Sequence, residues 1–171
     1  HLAANPTAVD DVIASIEPTD LATLIYTSGT TGFPKGVTLT QSNVSTNAAS
    51  AAKYSGYRED DRLCVFLPLF HVYGQNYILN AAIHAGSTIC LFRRFVPETV
   101  LESIERDRIT LFFGVPTIYV RLLELPRETA RRIGGRVRLF VSGSAPLTVS
   151  TRTSHHRQHV GWRRWRHLHQ L

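Results

Sequence analysis

A short loop at residues 26–36 combines the residue types that bind phosphate in proteins. Its two central glycines, Gly29 and Gly32, allow positive φ, so that successive backbone N–H groups can point into one concavity. Lys35 adds a positive charge, and four hydroxyl side chains surround the glycines: Thr27, Ser28, Thr30 and Thr31. The loop therefore predicts a site that suits a polyphosphate.

The loop differs from the phosphate-binding loop of P-loop NTPases, in which a Gly-Lys-Ser/Thr sequence opens a helix. Here the lysine is flanked by Pro34 and Gly36 instead. The alternative interpretation of the same residues is a hydroxyl-rich surface turn, on which Lys35 is simply solvated.

Strands and helices are predicted on both sides of this loop. Residues 20–27 form a short β-prone run, and residues 36–40 alternate apolar and polar side chains like a returning strand. The loop should therefore lie between two strands. The pattern continues with strands at 62–67, 87–92, 109–113 and 137–141. Helices are predicted at 43–55, from the end of the 68–75 loop to about 84, from 97 onward, and at 116–125. Nearly continuous apolar strands that alternate with helices predict an α/β fold, with a layered, mostly parallel sheet flanked by helices.

Three loops follow predicted strands, at residues 28–35, 68–75 and 142–147. In parallel α/β sheets, ligands usually bind in the crevice beyond the carboxyl ends of the strands. We therefore expect the three loops to converge on one crevice.

The composition is that of a globular protein, with 43% hydrophobic and 9% aromatic residues. No apolar run approaches the roughly 18–20 residues of a membrane span, and residues 1–6 lack the features of a signal peptide. We therefore expect a soluble, cytoplasmic protein. Cys64 and Cys90 lie in apolar runs, which favours buried thiols over a disulfide or a metal site. Because the chain begins with His1 and contains no Met, we expect a fragment.

The positive charge is concentrated at the C-terminal end. Residues 148–171 contain five Arg and five His with no acidic residue, whereas residues 1–147 have 14 Lys and Arg against 13 Asp and Glu. Three interpretations of this tail stay open: a patch for nucleic acid or another acidic surface, a natural basic extension, and an out-of-frame translation. We favour the last, and expect no nucleic-acid partner.

Residues 26–36 resemble the signature loop of the adenylate-forming (AMP-binding) superfamily, which contains acyl-CoA synthetases, luciferases and peptide-synthetase adenylation domains. Three further stretches agree in the expected order: residues 66–74, 114–119 and 142–147. The Pro-Leu-Phe-His-Val-Tyr-Gly stretch looks more like fatty- or aryl-acid CoA ligases, and residues 121–147 are also similar to malonyl-CoA synthetase-like members. The resemblance covers about residues 18–147. It implies that residues 1–147 are an incomplete piece of the large N-terminal domain of such an enzyme, followed by the atypical tail.

The resemblance implies a reaction in which ATP converts a carboxylic acid into an acyl-adenylate, which then passes to the thiol of CoA. It assigns the triphosphate and Mg²⁺ to one set of residues, with Thr31 at the metal: Thr27, Ser28, Gly29, Thr30, Thr31, Gly32, Lys35 and Gly36. Lys35 would be a mobile electrostatic contact rather than a proton-transfer group.

Two further assignments follow from the resemblance. His71 lies toward the carboxylate side of the acyl pocket, and the alternative is a loop histidine that orders the backbone. Gly143, Ser144 and Ala145 let the backbone approach the adenine, and the alternative is a plain turn between a strand and a helix.

Some parts of the family pattern are missing from this sequence. Family members have a Tyr-Gly-x-Thr-Glu motif, whose Glu helps hold Mg²⁺, within about thirty residues of the Ala-Pro-Leu stretch, and no such motif occurs here. We therefore expect the chain to be inactive by itself. A noncatalytic nucleotide-binding remnant and an adenylation module of another superfamily branch are the alternative functions.

Overall fold

The computed structural model describes residues 7–27, 32–126, 128–129, 135–146, 148 and 165–167. The chain divides into two compact units, His1–Asn47 and Ala48–Leu171. We call them the hairpin unit and the sheet unit after their main features. Within the described residues, no helix is both long and apolar enough to cross a membrane.

The hairpin unit contains helix α1 and two antiparallel strands. Helix α1 spans Ala8–Ser15, strand β1 spans Leu21–Thr27, and strand β2 spans Lys35–Thr40. The two strands pair in an antiparallel register, which confirms that the loop lies between an outgoing and a returning strand. Helix α1, whose apolar side chains are largely exposed, was not among the predicted elements.

Helix α2, Gln41–Ser55, begins in the hairpin unit and continues into the sheet unit. Its first turn is capped by a reciprocal pair of bonds. The Thr40 hydroxyl accepts a hydrogen bond from the Asn43 N–H, and the Asn43 side chain accepts one from the Thr40 N–H. These bonds satisfy backbone donors that a helix start leaves without partners.

Five parallel strands form the sheet of the sheet unit, within the described residues. In spatial order they are β4, β3, β5, β6 and β7. Their bounds are Arg62–Val65 (β3), Thr88–Leu91 (β4), Leu111–Gly114 (β5), Leu139–Ser142 (β6) and Trp165–His167 (β7). The helices are a π-helix at Tyr73–Asn80, then α3 at Ala81–Ala85, α4 at Pro97–Arg106 and α5 at Pro116–Leu123. This architecture confirms the predicted α/β class with a mostly parallel sheet.

Two elements of the sheet unit also differ from the sequence expectations. The helix predicted to follow the loop 68–75 begins earlier, at Tyr73, and its first eight residues are a π-helix. Gly74 makes this early start possible, because a Cβ there would lie 2.3 Å from the Pro68 carbonyl oxygen. Strand β7 lies in the basic tail, where the sequence shows no sustained strand period. Its parallel pairing with β6 makes it a strand, and its own sequence lacks the alternation that would predict one.

The central strands separate two apolar cores. Alternate strand residues point to opposite faces, so that Leu63, Phe113 and Val141 join the core on the π-helix side. Cys64, Phe112 and other residues join the core that contains α4 and α5. Cys64 is fully buried, as predicted, and this burial raises the pKa of its thiol. Burial on both faces explains why these strands are nearly continuous apolar runs.

A buried carboxylate joins the starts of three strands at the amino edge of the sheet. Asp61 is 2% exposed and accepts hydrogen bonds from the Thr110 hydroxyl at 2.6 Å and from the Arg58 N–H at 2.8 Å. It also pairs with the Arg138 guanidinium, which in turn donates to the Gly56 carbonyl oxygen at 2.8 Å. The charge of Asp61 is therefore compensated inside the fold.

We expect Arg138→Ala to lower the free energy of unfolding by about 3 kcal/mol, because it leaves Asp61 buried without its cation. The matched control is Arg106→Ala, which removes an arginine paired with Asp107 on the exposed surface and should have little effect. Urea unfolding of both variants measures the difference. Equal losses of unfolding free energy in the two variants would contradict a stabilising role of the buried Asp61–Arg138 pair.

Candidate functional site

Thr27 and Lys35 lie at the loop end of the hairpin, where β1 ends and β2 begins. They are directly opposed in the strand register, and both are exposed. Cross-strand partners lie on the same face of a hairpin, so the Thr27 hydroxyl and the Lys35 ammonium can bind one ligand together. Gly32 has φ of +84°, a conformation that L side chains rarely adopt. The loop therefore uses the glycine in the way that the sequence analysis predicted.

The remaining loop residues, Ser28, Gly29, Thr30 and Thr31, lie outside the described residues. The assignment of Thr31 to a metal therefore stays a prediction. Across the described ranges, no group of three or more His, Cys, Asp or Glu side chains could hold a metal ion. Gly36 packs against the Tyr26 ring, whose nearest carbon lies 3.5 Å from the position of an added Cβ.

His71 lies in the turn between β3 and the π-helix, and its side chain is exposed. Its ring Nδ1 accepts a hydrogen bond from the Tyr73 N–H at 3.1 Å. Its backbone carbonyl accepts one from the Gln75 N–H at 2.9 Å, and its own N–H donates to the Pro68 carbonyl at 3.1 Å. His71 thus orders the start of the π-helix. Because Nδ1 accepts, the neutral ring carries its proton on Nε2, which is the nitrogen left for a ligand.

Tyr73 connects this turn with the segment that follows β6. The ring of Tyr73 packs directly on Gly143, where an added Cβ would lie 2.8 Å from Cζ. The Tyr73 hydroxyl donates to the Val141 carbonyl oxygen at 3.5 Å. The loops predicted at 68–75 and 142–147 therefore meet, as expected from their positions beyond parallel strands. The convergence of the loop at 28–35 with them stays a prediction.

Ser144 and Ala145 are exposed beyond the buried Gly143. Ser144 has φ of +67°, which is unusual for a residue with a side chain. The Gly143 N–H donates to the Gly114 carbonyl oxygen at 3.2 Å. This bond extends the pairing of β5 with β6 by one residue beyond Ser142. It also brings the stretch at 114–119 next to Gly143.

Tyr119 is the last residue of the stretch at 114–119, for which no site role was predicted. It is fully buried in α5, and its hydroxyl donates to the Val141 carbonyl oxygen at 2.6 Å. Its ring fits against Gly114, where an added Cβ would lie 3.1 Å from Cε2. The only signal in the sequence is the spacing of a glycine that ends β5 and a tyrosine one turn into the next helix.

Burial decides the protonation of these tyrosines. It raises the pKa of the Tyr119 hydroxyl well above its ordinary value, with a smaller contribution from the nearby Tyr73. Burial also raises the pKa of Tyr73, and Tyr77 adds to the effect. Both hydroxyls therefore stay protonated and act as hydrogen-bond donors at neutral pH.

Residues 2–164 match the protein family described as AMP-binding enzyme. The chain belongs to this family. The match confirms the resemblance seen in the four sequence stretches, and it extends beyond residue 147 into the basic tail. The boundary at residue 147 stays a prediction.

The curated relatives include several acid–CoA ligases. The chain is 37% identical over 141 residues to 4-coumarate–CoA ligase 3 of Oryza sativa subsp. japonica, covering 80% of this chain and 25% of that protein. It is 41% identical over 128 residues to 2-succinylbenzoate–CoA ligase of Bacillus pumilus (strain SAFR-032), covering 75% and 26%. The chain thus spans about a quarter of the length of these relatives.

Two solved structures show the same fold. ATP-bound MatB from Rhodopseudomonas palustris superposes with a TM-score of 0.78 at 31% identity, over 94% of this chain and 33% of MatB. The N-terminal domain of FACL13 from Mycobacterium tuberculosis superposes with a TM-score of 0.73 at 29% identity, over 84% and 36%. The fold is therefore that of part of the N-terminal domain of adenylate-forming enzymes.

We expect Gly143→Ala to lower the free energy of unfolding by about 1–3 kcal/mol, because the new methyl group collides with the Tyr73 ring. In a Tyr73→Ala background the collision is absent, so the same change should cost much less. A double-mutant cycle in urea measures this coupling. Strictly additive losses would contradict the contact.

Stability should fall at alkaline pH. Burial raises the pKa of Tyr57, Tyr73 and Tyr119 in the folded protein, whereas unfolding returns each to about 10. The stabilisation is therefore fully present below about pH 10 and lost as the pH rises above it, by about 1.4 kcal/mol per pH unit for each tyrosine. Urea unfolding and tyrosinate absorbance between about pH 8 and 11 test this. Ionisation of all tyrosines near pH 10 in the folded protein would contradict it.

Proposed function

We propose that this chain is part of an acid–CoA ligase and carries its sites for ATP and for the carboxyl group of the acid. The observation that carries the proposal is the direct contact between Tyr73 and Gly143, which joins two family stretches at the carboxyl edge of the sheet. In the whole enzyme, a carboxylate oxygen of the acid attacks the α-phosphorus of ATP and pyrophosphate leaves. The thiol of CoA then attacks the acyl carbon, and AMP leaves.

We assign the triphosphate to the loop residues Thr27, Ser28, Gly29, Thr30, Thr31, Gly32, Lys35 and Gly36. The opposed and exposed positions of Thr27 and Lys35 support this assignment. A flexible ammonium group on a β-strand can follow negative charge as it moves from the α-phosphorus to the leaving pyrophosphate. Mg²⁺, bound with the help of Thr31, would neutralise phosphate charge in the same loop.

We assign the adenine to the backbone of Gly143, Ser144 and Ala145. Gly143 is fixed by the Tyr73 ring on one side and by its bond to Gly114. Ser144, with its positive φ, turns the chain so that it and Ala145 are exposed beyond the strand. A fixed backbone next to exposed residues is suited to receive a flat base, whose edge hydrogen bonds with backbone groups.

We assign His71 to the carboxylate of the acid. Its Nδ1 is held by the Tyr73 N–H, which fixes the ring and leaves the Nε2 proton as a donor to a carboxylate oxygen. The same bond orders the backbone, so both interpretations of this histidine apply together. His71 thus binds and orients the acid through Nε2 while Nδ1 stays bonded to the backbone.

We propose a fatty acid as the substrate and the cytoplasm as the location. The fatty-acid assignment is supported by a Bacillus subtilis relative named long-chain-fatty-acid–CoA ligase, which is 38% identical over 143 residues. Other relatives are named for 4-coumarate and 2-succinylbenzoate. All of these names describe acids that become CoA thioesters, so the acid–thiol ligase class is common to them.

We also propose that this chain by itself does not complete the reaction. A second proposal is that the basic, acid-free tail at residues 148–171 contains out-of-frame translation, although the family match extends to residue 164. The chain spans about a quarter of its relatives' length, and it lacks the Tyr-Gly-x-Thr-Glu motif. Reading the nucleotide sequence after codon 147 in the other two frames tests the second point. Absence of that motif from both frames would reject it.

The experiment that tests the proposed function is a titration with Mg·ATP. Lys35→Ala should weaken binding about ten- to a hundredfold, because a charge-assisted contact with phosphate is lost. The control is Lys53→Ala, which removes the chain's other lysine, exposed in the last turn of α2, and should bind like the parent chain. Equal affinities of all three proteins would reject the triphosphate assignment.

The same proteins are then given fatty acid and CoA. We expect no acid-dependent release of pyrophosphate from the 171-residue chain. Full turnover would show that the chain is active by itself. ATP binding without turnover is also expected of a noncatalytic nucleotide-binding remnant. Fusion of this chain to the remaining segment of a relative distinguishes the two alternatives. Acid-dependent pyrophosphate release by the fusion supports the ligase, and its absence supports the remnant.

A further inference from the structure

The carbonyl oxygen of Val141 accepts hydrogen bonds from two tyrosines that come from opposite faces of the sheet. Tyr119 reaches it from α5, at 2.6 Å. Tyr73 reaches it from the π-helix, at 3.5 Å. The two rings belong to the two different cores of the sheet unit. The end of β6 is therefore held from both sides at one backbone atom.

This backbone atom lies just before the segment to which we assign the adenine. Val141 is followed by Ser142, the last residue of β6, and then by Gly143. Because Gly143 also contacts the Tyr73 ring and bonds to Gly114, a shift of the Val141 peptide has to move the whole turn. A site that binds a ligand through its backbone depends on such support from surrounding side chains.

Tyr119 is too deeply buried to contact a ligand directly. It is fully buried and its hydroxyl is directed to backbone carbonyls, with the Phe112 oxygen 3.4 Å away in addition to that of Val141. Its effect on a ligand must therefore pass through the backbone. The short 2.6 Å distance and the raised pKa of Tyr119 both fit a hydroxyl that always donates.

We propose that Tyr119 is a positioning residue for adenine recognition, which acts through the Val141 carbonyl, with Tyr73 as a weaker support from the opposite face. The proposal rests on the proposed function, because the adenine assignment belongs to it. The proposal predicts that Tyr119 affects binding of the base and of the phosphates differently. Loss of the Tyr119 hydroxyl should weaken binding of the base and leave binding of the phosphates unchanged.

The test compares Mg·ATP with inorganic triphosphate, which lacks the base, as ligands of the whole chain. Tyr119→Phe should reduce the affinity for ATP about three- to tenfold, the range expected for one hydrogen bond, without changing the affinity for triphosphate. Tyr73→Phe should have a smaller effect in the same direction, and it keeps the test available if Tyr119→Phe does not fold. Equal losses for both ligands would reject the positioning role.

Tyr57→Phe is the matched control. Tyr57 also donates from its hydroxyl to a backbone carbonyl, that of Tyr77, at 3.1 Å, and its ring packs against Phe113 in the same unit. It has no hydrogen bond to Val141 among those of the described residues. This variant should lose similar stability but keep the parent ratio of ATP to triphosphate affinity. A change of that ratio as large as in Tyr119→Phe would reject the proposal.

Hydrogen exchange without nucleotide separates this proposal from the proposed function. The Gly143 amide, which donates to Gly114, should exchange about three- to tenfold faster in Tyr119→Phe than in Tyr57→Phe. If the parent chain binds no ATP, the proposed function fails, and this exchange rate still decides whether Tyr119 holds the turn. Identical exchange of the Gly143 amide in the two variants would overturn the positioning role.

Discussion

Burial of the central strands on both faces is the constraint on which the rest of the sheet unit depends. Within β3, β5 and β6 the one charged residue is Arg62, the first residue of its strand. Charged groups are costly inside two apolar cores, so they occur where strands begin or end. At the amino edge Asp61 needs Arg138 as a partner. At the carboxyl edge, the chain leaves the core after the buried Gly143, and residues 144–146 are exposed.

Close approach of side chains to backbone is the second feature of this edge. Gly114 and Gly143 carry no Cβ, and each has a tyrosine ring where a Cβ would be, at 3.1 and 2.8 Å. Glycine in a strand often marks such an approach. The two tyrosines come from helices on opposite faces and can reach Val141 only because both glycines leave room. The absence of a Cβ at Gly114 and Gly143 thus allows both the packing of the two tyrosine rings and their hydrogen bonds to Val141.

Much of this arrangement could be predicted from local sequence. The hairpin around residues 28–34 follows from β-prone runs on both sides of glycines, and the alternation of strands with helices follows from hydrophobic periodicity. The π-helix could not be predicted, because it depends on contact of Gly74 with the Pro68 carbonyl. Strand β7 could not be predicted either, because its pairing with β6 is what makes it a strand. The role of Tyr119 was missed since its partner, Val141, lies 22 residues further along the chain.

The sequence by itself determined the family, the α/β class and the residue types of the candidate site, because these depend on short patterns of neighbouring residues. It also indicated where glycine is needed, as at Gly32 with its positive φ. Only the tertiary structure decided that His71 uses Nδ1 to hold the Tyr73 N–H and that Tyr73 and Tyr119 meet at Val141. Those contacts join segments that are far apart in the sequence and that meet only because two cores pack on one sheet. A pattern of neighbouring residues cannot predict which distant residues meet.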